Sequence, residues 1–138
     1  MSDPEWTELV DRSPLLSVLA IGKVVSRHAV RVEFIALERR ELGGVLTFVV
    51  VDETIRETGE GPLIQSVPLL RLTADDGRQF ETRVVGGTFL DMSLVRYQAV
   101  FRPPLPPGTG VEVVVDRFVA GTLADVEGPW ASGVVTAA

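Results

Sequence analysis

Residues 94–118 read LVRYQAVFRPPLPPGTGVEVVVDRF. Two alternating runs flank a corner that holds four prolines. In the first run Val95, Tyr97, Ala99 and Phe101 share one face, and Arg96, Gln98 and Arg102 share the other. In the second, Val111, Val113 and Val115 oppose Glu112 and Asp116. A period of two is the mark of a half-buried strand. The segment Pro103-Pro104-Leu105-Pro106-Pro107 has two readings. It could be a polyproline ligand for an aromatic groove, with Arg102 as its flanking cation. It could equally be a corner, because proline cannot donate to a ladder and ends pairing where it stands. Two strong strands enclose it and Gly108-Thr109-Gly110 follows at once, which favours the corner. The chain is then expected to leave one sheet at Arg102 and enter a second at Val111, with Leu105 plugging the end of the core.

Working outward, the rest of the chain repeats this logic. Residues 17–25, 30–38 and 45–51 read as strands, with a polar turn over Arg39–Gly44. In residues 30–38, Val30, Val32, Phe34 and Ala36 share a face, while the other face starts polar at Arg31 and Glu33 and turns apolar at Ile35 and Leu37. Residues 67–74 and 79–85 flank Asp75-Asp76-Gly77-Arg78 and read as a hairpin, since Asp-Gly tolerates the positive φ of tight turns. A last strand is expected over 130–136. Residues 52–66 read as a mobile loop and Gly86–Ser93 as a second loop. At the N-terminus Asp3 can cap and Pro4 suits a first helical turn, with Ser2 and Glu5 spaced as in a capping box. Trp6, Leu9 and Val10 then share one face of a short helix over about 4–11. Seven to eight short strands without helical crossovers exclude a parallel α/β fold. They point to an all-β, antiparallel sandwich with immunoglobulin-like or Greek-key connections. One domain is expected over 1–138, with a helical arm at 1–14 and the sandwich at 15–136.

Composition narrows the chemistry. There is no cysteine, which removes disulfides, thiolate metal sites and cysteine nucleophiles. The net charge of −6 disfavours a phosphate backbone as partner. Twelve of the 13 basic residues are arginine, only Lys23 is lysine, and no asparagine offers a glycan acceptor. The start is acidic and lacks the basic region of a secretory signal. The apolar run from Leu15 to Val25 is interrupted by Lys23 and is too short to span a bilayer. A cytoplasmic protein that binds neither nucleic acid nor membrane is expected.

Candidate reactive groups are few. His28 is the only histidine, lies between the first two strands, and has no nucleophile-elbow motif with it. One histidine without cysteine leaves little for zinc. Asp52-Glu53, Asp75-Asp76 and Asp125 with Glu127 are acidic clusters in loops, but none has the spacing of a calcium loop, and Asp75-Asp76 is explained as turn chemistry. Gly43-Gly44 and Gly86-Gly87 do not open helices, so neither reads as a phosphate cradle. Trp6, Tyr97 and Trp130 are dispersed and make no aromatic platform for a sugar. No catalytic, cofactor-binding or metal-ligating residue is assigned, and no cofactor.

The order LLRLTADDGRQFE, then YQAVFRPPLPPGTGVEVVV, then a closing GPW resembles uncharacterised immunoglobulin-like β-sandwich proteins of actinobacteria, over about residues 17–136. That resemblance implies a fold and no catalytic residues. A non-enzymatic interaction or assembly module is therefore expected. The alternative is small-ligand, sugar or calcium binding, or catalysis, by loops at one end of the sandwich. Residues 17–25 and 45–51 fail to alternate, so the outer face of their sheet needs cover. A homodimer packed through that face, with the N-terminal helix at its margin, would supply it. Failing that, the loops 52–66 and 119–129 would have to fold over it.

Overall fold

A computed structural model describes residues 5–59, 66–91, 93–121 and 123–136. They form an all-β sandwich of eight antiparallel strands in two sheets, with two short helices. The strands are β1 (Leu15–Arg27), β2 (Val30–Arg40), β3 (Gly43–Asp52), β4 (Val67–Ala74), β5 (Glu81–Asp91), β6 (Leu94–Arg102), β7 (Gly110–Val119) and β8 (Glu127–Thr136). One sheet runs β1-β2-β3-β6-β5 and the other β4-β7-β8. The chain changes sheet at β3 to β4, at β4 to β5 and at β6 to β7.

The core is the space between the sheets. Val32, Phe34, Leu37, Phe48 and Val50 from the larger sheet meet Val111, Val113, Val115, Phe118 and Trp130 from the smaller one. The expected inward sets of β6 and β7 are buried in full: Val95, Tyr97, Ala99 and Phe101, and Val111, Val113 and Val115. The indole N–H of Trp130 donates to the Val30 carbonyl at 3.1 Å, which ties β8 to the facing sheet.

The proline segment is a corner. Leu105 is only 1% exposed and belongs to the core cluster. Its carbonyl accepts from Nε of Arg39 at 2.8 Å, and Arg39 also donates to the Ser17 hydroxyl at 3.1 Å. Arg39 faces inward because β2 carries a bulge between Phe34 and Ala36. The bulge explains the mixed face seen in the sequence: Ile35 stays outside, and Leu37 then turns into the core.

Several boundaries differ from expectation. The arms around Asp75–Arg78 start as a hairpin and then part. Ala74 N–H donates to the Arg78 carbonyl and Thr73 bridges Gln79, but β4 goes on to pair with β7 and β5 with β6. An Asp-Gly turn fixes only the first rung. Beyond it Phe80 moves between the layers, edge-on to Phe101 at 5.6 Å, and the arms are separated. Residues 86–91, expected as loop, extend β5, and Gly87 lies flat where a Cβ would touch the Tyr97 ring at 3.3 Å. Gly43 and Gly44, expected in a turn, open β3. A Cβ at Gly43 would collide with the Phe101 carbonyl and press on Val10, and one at Gly44 would collide with the Phe101 ring. Gly43, Gly44 and Gly87 therefore serve close packing, and a Cβ at Gly86 would meet open space.

The first helix, α1, spans Trp6–Arg12 and starts at Glu5 without a side-chain cap. Ser2, Asp3 and Pro4 of the expected capping box lie outside the described residues. The other helix, α2 (Glu53–Thr58), stands where a mobile loop was expected. It forms because the Asp52 carboxylate accepts from the N–H groups of Thr54 and Ile55, at 3.0 and 3.3 Å. The rest of that expected loop, 60–65, lies outside the described residues.

These helices change what the outer face of β3 requires. Val10 of α1 packs with Val45 and Val100, with Trp6 at the margin. Arg102 and Arg83 lie over the Trp6 ring at 4.5 and 5.6 Å. At the other end Ile55 of α2 is buried, and Val49 and Val51 of β3 are buried with it. The outer face of β3 is thus closed within one chain, and the need for a second copy there falls away. Residues 119–129 do not supply that cover: Leu123 joins the inter-sheet core instead.

Candidate functional site

The topology sorts the candidate residues between the two ends of the sandwich. His28, Asp52, Glu53, Asp91, Asp125 and Glu127 all fall at the end where β1 turns into β2, β5 into β6 and β7 into β8. The Asp52 and Glu53 N–H groups donate to the Ser93 and Ala29 carbonyls, at 2.8 and 2.9 Å, drawing these turns together. Asp75 and Asp76 lie at the opposite end, with the proline corner.

Most of these acids already have partners. Asp52 caps α2, and Glu53 pairs with Arg31 at 2.7 Å. Asp75 accepts from Gly110 N–H at 3.2 Å, and Asp76 accepts from Arg78 N–H at 2.9 Å. Asp91 accepts from the hydroxyl and the N–H of Ser93, each at 2.7 Å. Those bonds, helped by Arg56, hold its carboxyl below the usual carboxylate range. Asp91 and Ser93 line an open cleft of about 380 Å³ with Ile55, Arg56 and Gly59. His28 shares a second cleft, of about 310 Å³, with Asp125, Val126 and Glu127. His28 and Ala29 make the tight β1–β2 turn at φ 53° and 60°. Among the described residues no three of His, Cys, Asp and Glu come together in a way that could hold a metal ion.

Another cleft, of about 550 Å³, lies at the other end. Leu42, Gln79, Glu81, Arg102, Pro103 and Pro104 line it, and Arg102 there pairs with Glu81 at 2.8 Å. Tyr97 is buried beneath the loop end. Its hydroxyl donates to the Ser66 carbonyl at 2.8 Å, and burial pushes its pKa up to about 12.

No motif marks the edge of the larger sheet, although residues 17–25 were expected to need cover on their outer face. β1 is the outermost strand there and is 13 residues long. Its inward residues Leu19, Ile21 and Val25 pack on the core. Its other side is bare: Leu15, Leu16, Val18 and Val24 are 51, 53, 58 and 53% exposed, and Ile35 of β2 is exposed beside them. The other three edges carry interruptions that discourage pairing. β4 contains Pro68, β8 contains Pro129 and a left-handed Gly133, and β5 is broken by register shifts around Gly86 and Asp91. β1 is interrupted as well, by a left-handed Gly22 at φ 65°, by Lys23, and by register shifts between Leu15 and Ser17 and between Ala20 and Lys23.

No family model matches the chain, and no curated protein matches it. Among solved structures it is similar to a conserved domain protein from Bacillus anthracis, at 13% identity and a TM-score of 0.57. The match covers 86% of this chain and 46% of that one, so this chain spans about half of that protein's length. At that identity the likeness speaks for the fold alone. The fold is an all-β sandwich whose edge strand β1 exposes an apolar row, and the opposite edge of the same sheet, β5, exposes Val85, Phe89 and Leu90. No helix among the described residues is long and apolar enough to cross a membrane.

Proposed function

We propose that this protein is a non-enzymatic interaction module that works in the cytoplasm by docking a protein along the β1 edge. The observation that carries the reading is the exposed apolar row on the longest edge strand. A strand edge offers unpaired N–H and C=O groups to an incoming strand, and side chains beside it select the partner. A supporting fact is the connectivity: β2-β3-β6-β5 against β4-β7-β8 has the order ABED against CFG of an immunoglobulin constant-type sandwich, with β1 added outside. The buried Trp130 stands on the last strand here, where antibody domains carry theirs on the third. The likeness to actinobacterial immunoglobulin-like proteins belongs to this proposal as well.

The test is recovery of partners from the protein's own host by the tagged wild type and by Val18→Glu. The reading expects a protein recovered with the wild type and lost with a folded Val18→Glu. Equal recovery with both would remove β1 from the interface. The alternative of a ligand at the loop end rests on His28 sharing its cleft with Asp125 and Glu127. Ligand-dependent chemical shifts confined to those residues would favour it.

A further inference from the structure

We infer that α1 is a latch: it opens as a unit while the sandwich beneath it stays folded, and in opening it bares the apolar seat formed by Val45 and Val100. The apolar contacts of the chain divide in two. One contiguous cluster fills the space between the sheets, and no residue of α1 belongs to it. Val10 packs instead with Val45 and Val100 in a separate small cluster, with Trp6 at its margin. A satellite cluster of this kind can come apart without disturbing the main one.

The helix has little of its own to resist opening. It is seven residues long and starts without a side-chain cap. Isolated helices are marginal in water below about 12–15 residues, so α1 is a helix only while it is docked. Only Thr7 and Val10 are buried along it, and Leu9 is exposed. The indole N–H of Trp6 is buried without an acceptor. A donor taken from water and not re-paired weakens the state that buries it, and opening returns it to water. The ion pair of Glu5 with Arg83, at 3.3 Å, is largely exposed and contributes little.

The two ends of α1 are held differently. At the C-terminal end Arg40 donates to the Ser13 carbonyl at 2.8 Å, Glu41 N–H to the Pro14 carbonyl at 3.0 Å, and Leu42 N–H to the Ser13 hydroxyl at 3.3 Å. The latch therefore swings from Ser13, and Trp6 is at its free end. Opening also changes the charge at the seat. Arg102 keeps Glu81 at 2.8 Å, whereas Arg83 gives up Glu5. The bared surface is an apolar floor beside a newly unpaired cation. Val49 and Val51, at the α2 end of β3, stay buried with Ile55.

Hydrogen exchange of the full chain, read residue by residue, tests this. The amides of Leu9 and Ser13 donate to the Glu5 and Val10 carbonyls, bonds that opening breaks. They are expected to exchange about a hundredfold or more faster than the slowest amides of β3, as a local opening does beside a global one. Low denaturant should leave the α1 rates nearly flat and raise those of β3 steeply, because the slope follows the surface exposed. Val113→Ala, in the core between the sheets, should speed exchange in β3 and leave α1 unchanged, since the contacts of Val113 are the same with the latch open or closed. Val10→Ala should speed exchange in α1 by about tenfold, the effect of losing two buried methyl groups. Leu9 and Ser13 exchanging as slowly as β3 with the same denaturant slope, or quickened in step with β3 by Val113→Ala, would show that α1 opens only with the whole domain and would overturn the latch. Exchange at the rate of an unstructured peptide would overturn it as well, by removing the closed state. Should Val113→Ala fail to fold, the denaturant slopes of the wild type decide alone.

Discussion

β3 and β1 look alike in the sequence and differ in the fold. Both are largely apolar runs that fail to alternate, and both raise the question of what covers their outer side. For β3 the chain answers it: Val10 of α1 packs on Val45, and Ile55 of α2 is buried at the other end, beside the equally buried Val51. For β1 it does not, and Leu15, Leu16, Val18 and Val24 stand more than half exposed. An unbroken apolar strand thus reports that both sides are apolar, not how the second is covered. A central strand must be covered for the monomer to be stable. An edge strand can remain open, and what remains open there is available to a partner.

The sharpest way to break that contrast is to place the same charge on both strands. Val51→Glu puts a carboxylate at a fully buried position, and the cation across the ladder from it, Arg31, is already paired with Glu33 and Glu53. An unpaired buried charge costs several kcal/mol, of the order of the whole stability of a small domain. Val51→Glu is expected to abolish cooperative unfolding in far-UV circular dichroism. A folded Val51→Glu would show that α2 does not seal that face.

Next in size is the proline corner. Leu105→Ala should cost about 2–5 kcal/mol, the range for a buried leucine truncation. Arg39 of β2 donates to the corner and to the Ser17 hydroxyl of β1, so the loss should be felt through the larger sheet. Chemical denaturation measures it. An unchanged midpoint would mean that Leu105 does not seal the core.

The corner was legible in the sequence because proline and strict alternation are local signals. Leu105 as plug, the inward faces of β6 and β7, and the two-sheet arrangement all follow from them. What was illegible depends on long-range neighbours. Asp52 reads as one acid among several until its carboxylate is seen to cap α2. Arg39 reads as a surface cation until the bulge after Phe34 turns it inward. The arms around Asp75–Arg78 read as one hairpin, and only the competition of β7 and β6 for their edges separates them. The candidate site at β1 was visible as residues without being visible as a site, because exposure is a property of the whole sheet order.

Smaller again is a pH effect at Tyr97. Its pKa is raised from about 10, the unfolded value, to about 12 by burial, so the folded state holds the proton more tightly. Stability from this group is complete below pH 10 and falls as pH rises from 10 to about 12, by roughly 2–3 kcal/mol in all. Tyr97→Phe should flatten that part of the profile while losing the hydrogen bond to the Ser66 carbonyl. An equally steep fall in Tyr97→Phe would assign the effect to other groups.

The smallest effect on stability is expected where the comparison began, at the open strand. Val18 is outward, 58% exposed, and lies across from Glu38, whose carboxylate is already paired with Arg40 at 2.8 Å. Val18→Glu removes little buried area and leaves its new charge in water, so the intrinsic unfolding free energy should move by about 0.5 kcal/mol or less. The measurement needs protein dilute enough to be monomeric, because any partner bound to the native state adds its own stabilisation and raises the midpoint with concentration. Under dilute conditions wild type and Val18→Glu should melt together. The same substitution that does nothing to the monomer would then separate the two strands by the criterion that distinguishes them: the outer side of β3 is closed by its own chain, and that of β1 is open. A large loss of stability in dilute Val18→Glu would place β1 with β3, as a strand whose outer side is covered within the monomer.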